Sequence, residues 1–173
     1  MLGRNGNDMN EPTITILGLG NILMTDEGVG VRTINEFERR YEVPDYVEIV
    51  DGGAAGLDLI PFIEGREKVM MVDAVNFDRE PGYIDLLEND AIPVRITQKA
   101  SMHHLGLMDV LCIVRMSGNL PKELCLIGIQ PKSLDLGIDM TKEMWDKVDD
   151  LIECIAAKLR DWNIPCVLRS PQK

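Results

Sequence analysis

The sequence predicts a single-domain α/β protein with a twisted, mostly parallel five-stranded sheet and helices on both faces. Short apolar and β-branched segments alternate with segments whose apolar residues recur at helical spacing, a pattern typical of strands joined by helical crossovers. Residues 68–75 (KVMMVDAV) are almost entirely apolar, as expected of a strand covered on both faces. The length of 173 residues fits one domain.

The first half of the chain is predicted to form a strand, a helix, a strand and a short helix. The long helix is indicated by Val31, Ile34 and Phe37, which recur at helical spacing. The short helix contains Pro61, which is expected to interrupt it, and ends at Gly65. In order, the four elements are residues 13–18, 25–40, 47–53 and 57–65.

The second half is predicted to contain three strands and two long helices. Ser101 is a plausible N-cap for the first helix and Gly118 a stop signal. The elements are strands 68–75, 82–88 and 123–131 and helices 101–118 and 141–162. The last helix has an apolar stripe formed by Met144, Val148, Leu151, Ile155 and Leu159. Right-handed crossovers favour the strand order 2-1-3-4-5, with ligands expected at the carboxyl ends of strands one and three.

Composition narrows the function classes. The formal net charge of −11 argues against nucleic-acid binding, and no stretch is long and apolar enough to insert into a membrane. We expect a flexible lead-in over residues 1–12 without a secretory signal, a domain over 13–165 and a loose tail over 166–173. The four cysteines form no CxxC pair, and three lie in apolar patterns, which predicts reduced core residues in a cytoplasmic protein: Cys112, Cys125, Cys154 and Cys166.

Polar residues follow the predicted strands where their carboxyl ends should meet. The first strand leads to Asn21, Asp26 and Glu27, the second ends at Asp51–Gly52–Gly53, the third contains Asp73, and the helix after Ser101 begins with His103 and His104. Asp73 interrupts an apolar strand, and a buried carboxylate has to be hydrogen-bonded, paired, protonated or metal-bound.

Each of these residues also has a purely structural interpretation. Asp73 could accept backbone N–H bonds from a neighbouring loop, and Glu27 could favour the first turn of its helix through the helix dipole. His103 could cap its own helix or pair with a surface acid. A functional site is favoured over these alternatives because all three residues are predicted to lie at the same edge of the sheet.

A metal suits this edge better than a phosphate. Two carboxylates and one imidazole form a mixed oxygen and nitrogen set that fits Ni, Zn, Fe or Mn, and no closed zinc motif is present. A G-x-G-x-x-G reading starts at Gly18 and Gly20 but fails at Leu23, and no Walker lysine follows. Acids at the start of the helix would also repel a pyrophosphate.

Four segments together resemble a known family. "ILGLGNILMTDEGVGVR", "EIVDGGAAGLDLI", "VDAV" and "SMHHLGLMDVL" occur in the order and at the spacing of the nickel–iron hydrogenase maturation proteases, and the resemblance covers residues 13–162. It implies an α/β fold and an endopeptidase, of the aspartyl type or metal-dependent. This hydrolase would remove the C-terminal extension of the hydrogenase large-subunit precursor after nickel insertion.

The resemblance also assigns roles to individual residues. Glu27, Asp73 and His103 correspond to the family's metal ligands and are expected to serve catalysis, with His104 as the fallback for His103. The turn Asp51–Gly52–Gly53 lies beside the cleft in the family and is expected to contact the substrate. Where many members continue with threonine this chain has Ala54, so a threonine hydroxyl is not available here.

The resemblance implies that nickel is carried by the precursor, and zinc or cadmium could take its place. Two mechanisms remain open: the metal activates water or the scissile carbonyl, or Asp73 or Asp51 acts as the general base. Two other functions are also compatible with the same sequence features. One is a non-enzymatic nickel chaperone or checkpoint protein acting on the precursor, and the other is a flavodoxin-like small-molecule module. The expected binding partner is the hydrogenase large-subunit precursor, and the protein itself is expected to be a monomer.

Overall fold

The computed structural model describes residues 12–98 and 102–170, without the side chains of residues 95–98 and 102–105. The strands are β1 (Ile14–Leu19), β2 (Tyr41–Glu42), β3 (Val47–Gly53), β4 (Lys68–Ala74), β5 (Ile84–Glu88), β6 (Glu123–Ile129) and β7 (Val167–Leu168). The helices are α1 (Val29–Arg40), α2 (Ile60–Ile63), α3 (Ala91–Gln98), α4 (Met102–Met116), α5 (Lys142–Trp145) and α6 (Val148–Asp161). Single 3₁₀ turns, Thr25–Gly28 and Leu57–Leu59, precede α1 and α2.

The main sheet has five strands in the order β3-β1-β4-β6-β5. The first four run parallel, and β5 runs antiparallel to β6. This confirms the predicted mostly parallel sheet, but the predicted order 2-1-3-4-5 is wrong in its last two positions. Only nine residues, 75–83, join β4 to β5, which is too short for a parallel crossover of a dozen or more residues. The chain therefore returns antiparallel at the edge, and β6 fills the gap.

Helices cover both faces of the sheet and create two apolar layers. On one face α1 and α6 pack over Met70, Val72 and Ala74 of β4. On the other face α2, α3 and α4 pack over Val69 and Met71. Successive residues of a strand point to opposite faces, so β4 is buried on both sides, as its apolar sequence predicts.

The helices differ from the predictions in three places. The predicted helix 141–162 is divided into α5 and α6, although its whole apolar stripe is buried in one layer as expected. Helix α3 was not predicted, because Pro93 and the β-branched residues around it argue against a helix; Pro93 is tolerated in its first turn. The predicted short helix 57–65 is divided into the 3₁₀ turn Leu57–Leu59 and α2, and Pro61 lies at the start of α2, where proline is tolerated.

The C-terminal segment packs on the fold over more residues than predicted. Val167 and Leu168 pair with Glu42 and Tyr41, and the Arg169 N–H donates to the Arg40 carbonyl at 2.7 Å. The chain is thus part of the fold beyond the predicted boundary at residue 165. Of the predicted lead-in 1–12, all residues except Pro12 lie outside the described residues.

All four cysteines carry free thiols. Burial raises the pKa of the Cys125 thiol to about 12. Burial also raises the pKa of Cys154 and Cys166, which pack against the α6 layer. Cys112 is exposed on α4, so its place in an apolar sequence pattern does not make it a core residue.

Candidate active site at the carboxyl edge of the sheet

The loop after β1 is held in a tight fold by Gly20. Its φ of +113° is one that side chains rarely adopt, and a Cβ there would lie 1.7 Å from the Glu27 carbonyl oxygen. The Gly20 N–H donates to the Gly53 carbonyl at 2.9 Å, which ties this loop to the end of β3. The carboxyl ends of β1 and β3 are therefore fixed beside each other.

Asp26 is a structural anchor. It is fully buried, and its Oδ2 accepts hydrogen bonds from the backbone N–H groups of Lys132 (3.0 Å) and Ser133 (2.9 Å). The Thr141 hydroxyl donates to the same oxygen at 3.0 Å, and the Thr141 N–H donates to Oδ1 at 2.7 Å. This carboxylate holds the segment after β6, residues 132–141, which we call the 132–141 loop, against the loop after β1.

Glu27, the adjacent acid, is placed at the end of β4. It is 6% exposed and lies in the 3₁₀ turn Thr25–Gly28, which packs against β4. A Cβ at Gly30 would lie 2.1 Å from the Val72 carbonyl oxygen and 2.4 Å from that of Leu19. Only glycine allows α1 to approach the sheet this closely, so it brings the start of the helix, and Glu27 with it, down onto β1 and β4.

Asp73 is the penultimate residue of β4 and is fully buried. Its Oδ1 accepts a hydrogen bond from the Ala74 N–H at 2.8 Å. Met71 and Val75, two residues before and two residues after Asp73, both belong to the apolar layer beneath α4. Asp73 is thus on the face of the sheet that α4 covers.

Helix α4 begins close to the same edge. A Cβ at Gly106, one turn into the helix, would lie 3.4 Å from the Cα of Gly56 in the loop after β3. The first turn carries His103 and His104, whose side chains lie outside the described residues, as does Ser101. Among the side chains that are described, no group of three or more His, Cys, Asp and Glu residues is placed to hold a metal.

The segment Asp51–Gly52–Gly53 forms a tight turn at the end of β3. The Gly53 N–H donates to the exposed Asp51 carboxylate at 3.1 Å, and Gly53 has a φ of +49°. A Cβ at Gly52 would lie 2.9 Å from Leu19 Cδ2, so the turn packs directly on β1. Asp51 faces solvent beside the loop that carries Glu27.

This edge presents three buried acids and the start of α4. The described part of the chain buries three carboxylates, Asp26, Glu27 and Asp73. Asp26 has a structural role through its four donors, and Glu27 and Asp73 are the candidates for chemistry. A carboxylate pair with an imidazole nearby can bind a transition metal or exchange protons with a bound water.

Sequence reasoning missed the anchor and the loop that it holds. Asp26 looks like a second candidate ligand in the sequence, because its partners lie 106 to 115 residues further along the chain.

A cavity of about 370 Å³ lined by Met108, Leu111, Cys112 and Leu120 lies at the far end of α4 and is separate from the edge.

No helix among the described residues is long and apolar enough to cross a bilayer.

Comparisons with known proteins converge on one family. The model of the family HycI, described as hydrogenase maturation protease, matches residues 31–158. The chain is 40% identical over 157 residues to the hydrogenase 2 maturation protease of Escherichia coli strain K12, covering 90% of this chain and 96% of that protein.

Solved structures agree with the sequence matches. The fold is similar to that of the hydrogenase maturating endopeptidase HybD from Escherichia coli, with a TM-score of 0.87, 39% identity, and coverage of 90% of this chain and 97% of that one. It is also similar to the [NiFe] hydrogenase maturation protease HybD from Thermococcus kodakarensis, with a TM-score of 0.69 and 26% identity, covering 84% and 97% of the two chains.

Proposed function

The chain belongs to the hydrogenase maturation protease family, and we propose that it removes the C-terminal extension of a nickel–iron hydrogenase large-subunit precursor after nickel insertion. The observation that supports this proposal is that buried Glu27 lies in the turn packed against β4, the strand that carries buried Asp73, while α4 covers the Asp73 face of that strand. The reaction is the hydrolysis of one peptide bond.

Glu27, Asp73 and His103 are the proposed contacts to the nickel that the precursor carries. Their oxygen and nitrogen donors fit a borderline transition metal, and three ligands leave room for donors from the precursor. The metal is then part of the substrate, and zinc or cadmium would bind the same donor set. His103 belongs to the first turn of α4, and this helix covers the Asp73 face of the sheet.

Shared nickel contacts would couple cleavage to metal insertion. A precursor without nickel loses the contacts that bridge it to Glu27, Asp73 and His103, so it binds less tightly and its scissile bond is not positioned. This is a linkage between metal binding and substrate binding, with coupling typically about 1–3 kcal/mol. The empty subunit is thereby protected from premature trimming.

Hydrolysis requires a water molecule to add to the carbonyl carbon, the C–N bond to break and a proton to reach the leaving amine. Nickel can polarise the carbonyl or lower the pKa of the water. Alternatively a carboxylate takes the proton of the water and returns it to the amine. Asp51 is the exposed acid for this role, and Asp73 is the buried one.

The Asp51→Asn variant tests whether Asp51 is the base of the carboxylate route. If Asp51 is the base, nickel-dependent binding of the precursor persists while cleavage is lost. If binding is lost instead, the turn Asp51–Gly52–Gly53 serves to hold the substrate.

The proposed function is tested by mixing the protein with nickel-loaded and nickel-free precursor and measuring their masses. The proposal expects loss of the C-terminal extension from the loaded precursor only. An unchanged mass in both mixtures would contradict it and would favour a non-enzymatic nickel chaperone or checkpoint protein. Thermal stabilisation by flavin but by no divalent metal would favour a small-molecule module instead.

We also propose a cytoplasmic location and a monomeric state. Four free thiols are expected of a protein in a reducing compartment. Sedimentation of the purified protein measures the oligomeric state directly.

A further inference from the structure

An exposed apolar surface borders the proposed site. Five large apolar side chains with between 43% and 86% of their surface exposed lie in two segments, residues 22–23 and 134–138. We call these five residues the apolar rim: Ile22, Leu23, Leu134, Leu136 and Ile138. Exposed apolar clusters of this kind mark sites of protein contact.

The two segments of the rim form one unit. The Thr25 N–H donates to the Gly137 carbonyl at 2.8 Å, and the Gly137 N–H donates to the Leu23 carbonyl at 2.9 Å. The Thr25 hydroxyl donates to the Ser133 carbonyl at 2.9 Å. The rim therefore joins the loop after β1 to the 132–141 loop.

Buried and charged groups hold the rim in place from below. Asp26 binds three backbone N–H groups and one hydroxyl of the 132–141 loop. The Arg32 guanidinium donates to the Ile138 carbonyl and lies 5.7 Å from the ring centroid of Trp145. A surface that is already ordered loses little conformational entropy when a partner binds.

The rim is directly continuous with the proposed site. Leu23 is four residues from Glu27, and the 3₁₀ turn that carries Glu27 is bonded to the rim through Thr25. A folded protein whose tail reaches Glu27 from the side of the 132–141 loop lies over this surface. Asp135 is the single charged residue among residues 21–24 and 133–138, so the contact is apolar in character.

We infer that the apolar rim is the docking surface for the hydrogenase large-subunit precursor. The precursor places an apolar patch beside its cleavage site on the rim, so that the scissile bond lies over Glu27 and Asp73. This inference rests on the proposed function and adds a specificity-determining surface outside the nickel contacts.

Two matched double variants test the inference. Leu136→Ser with Ile138→Ser removes rim side chains that are 86% and 66% exposed. Met116→Ser with Val94→Ser removes apolar side chains that are 83% and 61% exposed and lie on α4 and α3 away from the rim. Exposed positions leave the core intact, and thermal unfolding checks that both variants fold.

The readout is kcat and KM for cleavage of the nickel-loaded precursor. The rim variant is expected to raise KM about tenfold or more with kcat within about twofold of wild type, because docking contacts act on binding and not on the chemical step. The Met116 and Val94 variant is expected to match wild type. Equal KM values for the rim variant and wild type, or an equal increase in the control, would overturn the inference.

Failure of the proposed function is distinguishable from failure of the docking inference. If wild type does not cut the precursor, binding of the uncut precursor to wild type and to the two double variants still tests the docking inference. Loss of binding in the rim variant alone supports the rim as the docking surface. A rim variant that binds normally overturns it. Self-association of wild type that the rim variant abolishes would also overturn it, by assigning the surface to a second copy.

Discussion

The adjacent acids Asp26 and Glu27 are predicted to respond to substitution in opposite ways. Asp26→Asn keeps the shape of the side chain but replaces one carboxylate oxygen with an amide N–H₂. Four donors surround the carboxylate, three at Oδ2 and one at Oδ1, so either orientation of the amide faces at least one donor with another donor. The substitution therefore loses at least one hydrogen bond as well as the charge.

The expected loss for Asp26→Asn follows from these contacts. A hydrogen bond to a charged group contributes about 1.5–3 kcal/mol, and a buried donor left unpaired costs about 1–3 kcal/mol. We expect the free energy of unfolding to fall by about 2–4 kcal/mol in total. For a chain of this size, this corresponds to a decrease in Tm of about 5–15 °C.

Urea unfolding followed by tryptophan fluorescence measures this loss, and precursor cleavage well below Tm measures function. The folded Asp26→Asn variant should keep its kcat, because Asp26 acts through the 132–141 loop and not on the reacting bond. Glu27→Gln should reduce kcat about 100-fold or more while remaining folded. A wild-type free energy of unfolding for Asp26→Asn would refute the assignment of Asp26 as an anchor. A wild-type kcat for Glu27→Gln would refute the assignment of Glu27 as a reactive acid.

Three further predictions concern packing, pH and thiols. Gly30→Ala should lower the free energy of unfolding by about 1–3 kcal/mol in urea titrations, because its Cβ would lie 2.1 Å from a carbonyl oxygen of β4; an unchanged midpoint would contradict the close packing. The hydrogen bond from Arg39 lowers the pKa of Glu36 from 4.5 to about 2, so its contribution to stability is complete above pH 4.5 and is lost as the pH falls towards 2. Glu36→Gln should flatten the stability profile in this window, and a profile identical to that of wild type would count against the ion pair. A thiol reagent at neutral pH should modify exposed Cys112 in the folded protein and Cys125 only after unfolding, since burial raises the pKa of Cys125 to about 12; mass mapping of the modified peptides checks the order.

Local sequence patterns predict the parts of the fold that depend on local physics. The apolar run of β4 predicts a strand buried on both faces, and the stripe from Met144 to Leu159 predicts a buried helix face. The strand order depends instead on the length of a connection. The nine residues between β4 and β5 exclude a parallel crossover, and this constraint could have been read from the sequence.

The site is predictable only in part, for a related reason. Asp73 can be identified because a carboxylate within an apolar strand needs a partner. Asp26 and Glu27 cannot be told apart from the sequence, because the donors that occupy Asp26 belong to a distant segment. The apolar rim cannot be predicted for the same reason, because its two loop segments are distant in sequence and become neighbours only when the chain folds.

The most direct test of the proposed nickel contacts is the rate at which nickel-loaded precursor is cut by wild type, Glu27→Gln, Asp73→Asn, His103→Leu and His104→Leu. We predict that the first three variants are folded and cut at least about 100-fold more slowly than wild type, while His104→Leu cuts normally. Wild-type rates for any of the first three variants, or a loss confined to His104→Leu, would contradict the assignment.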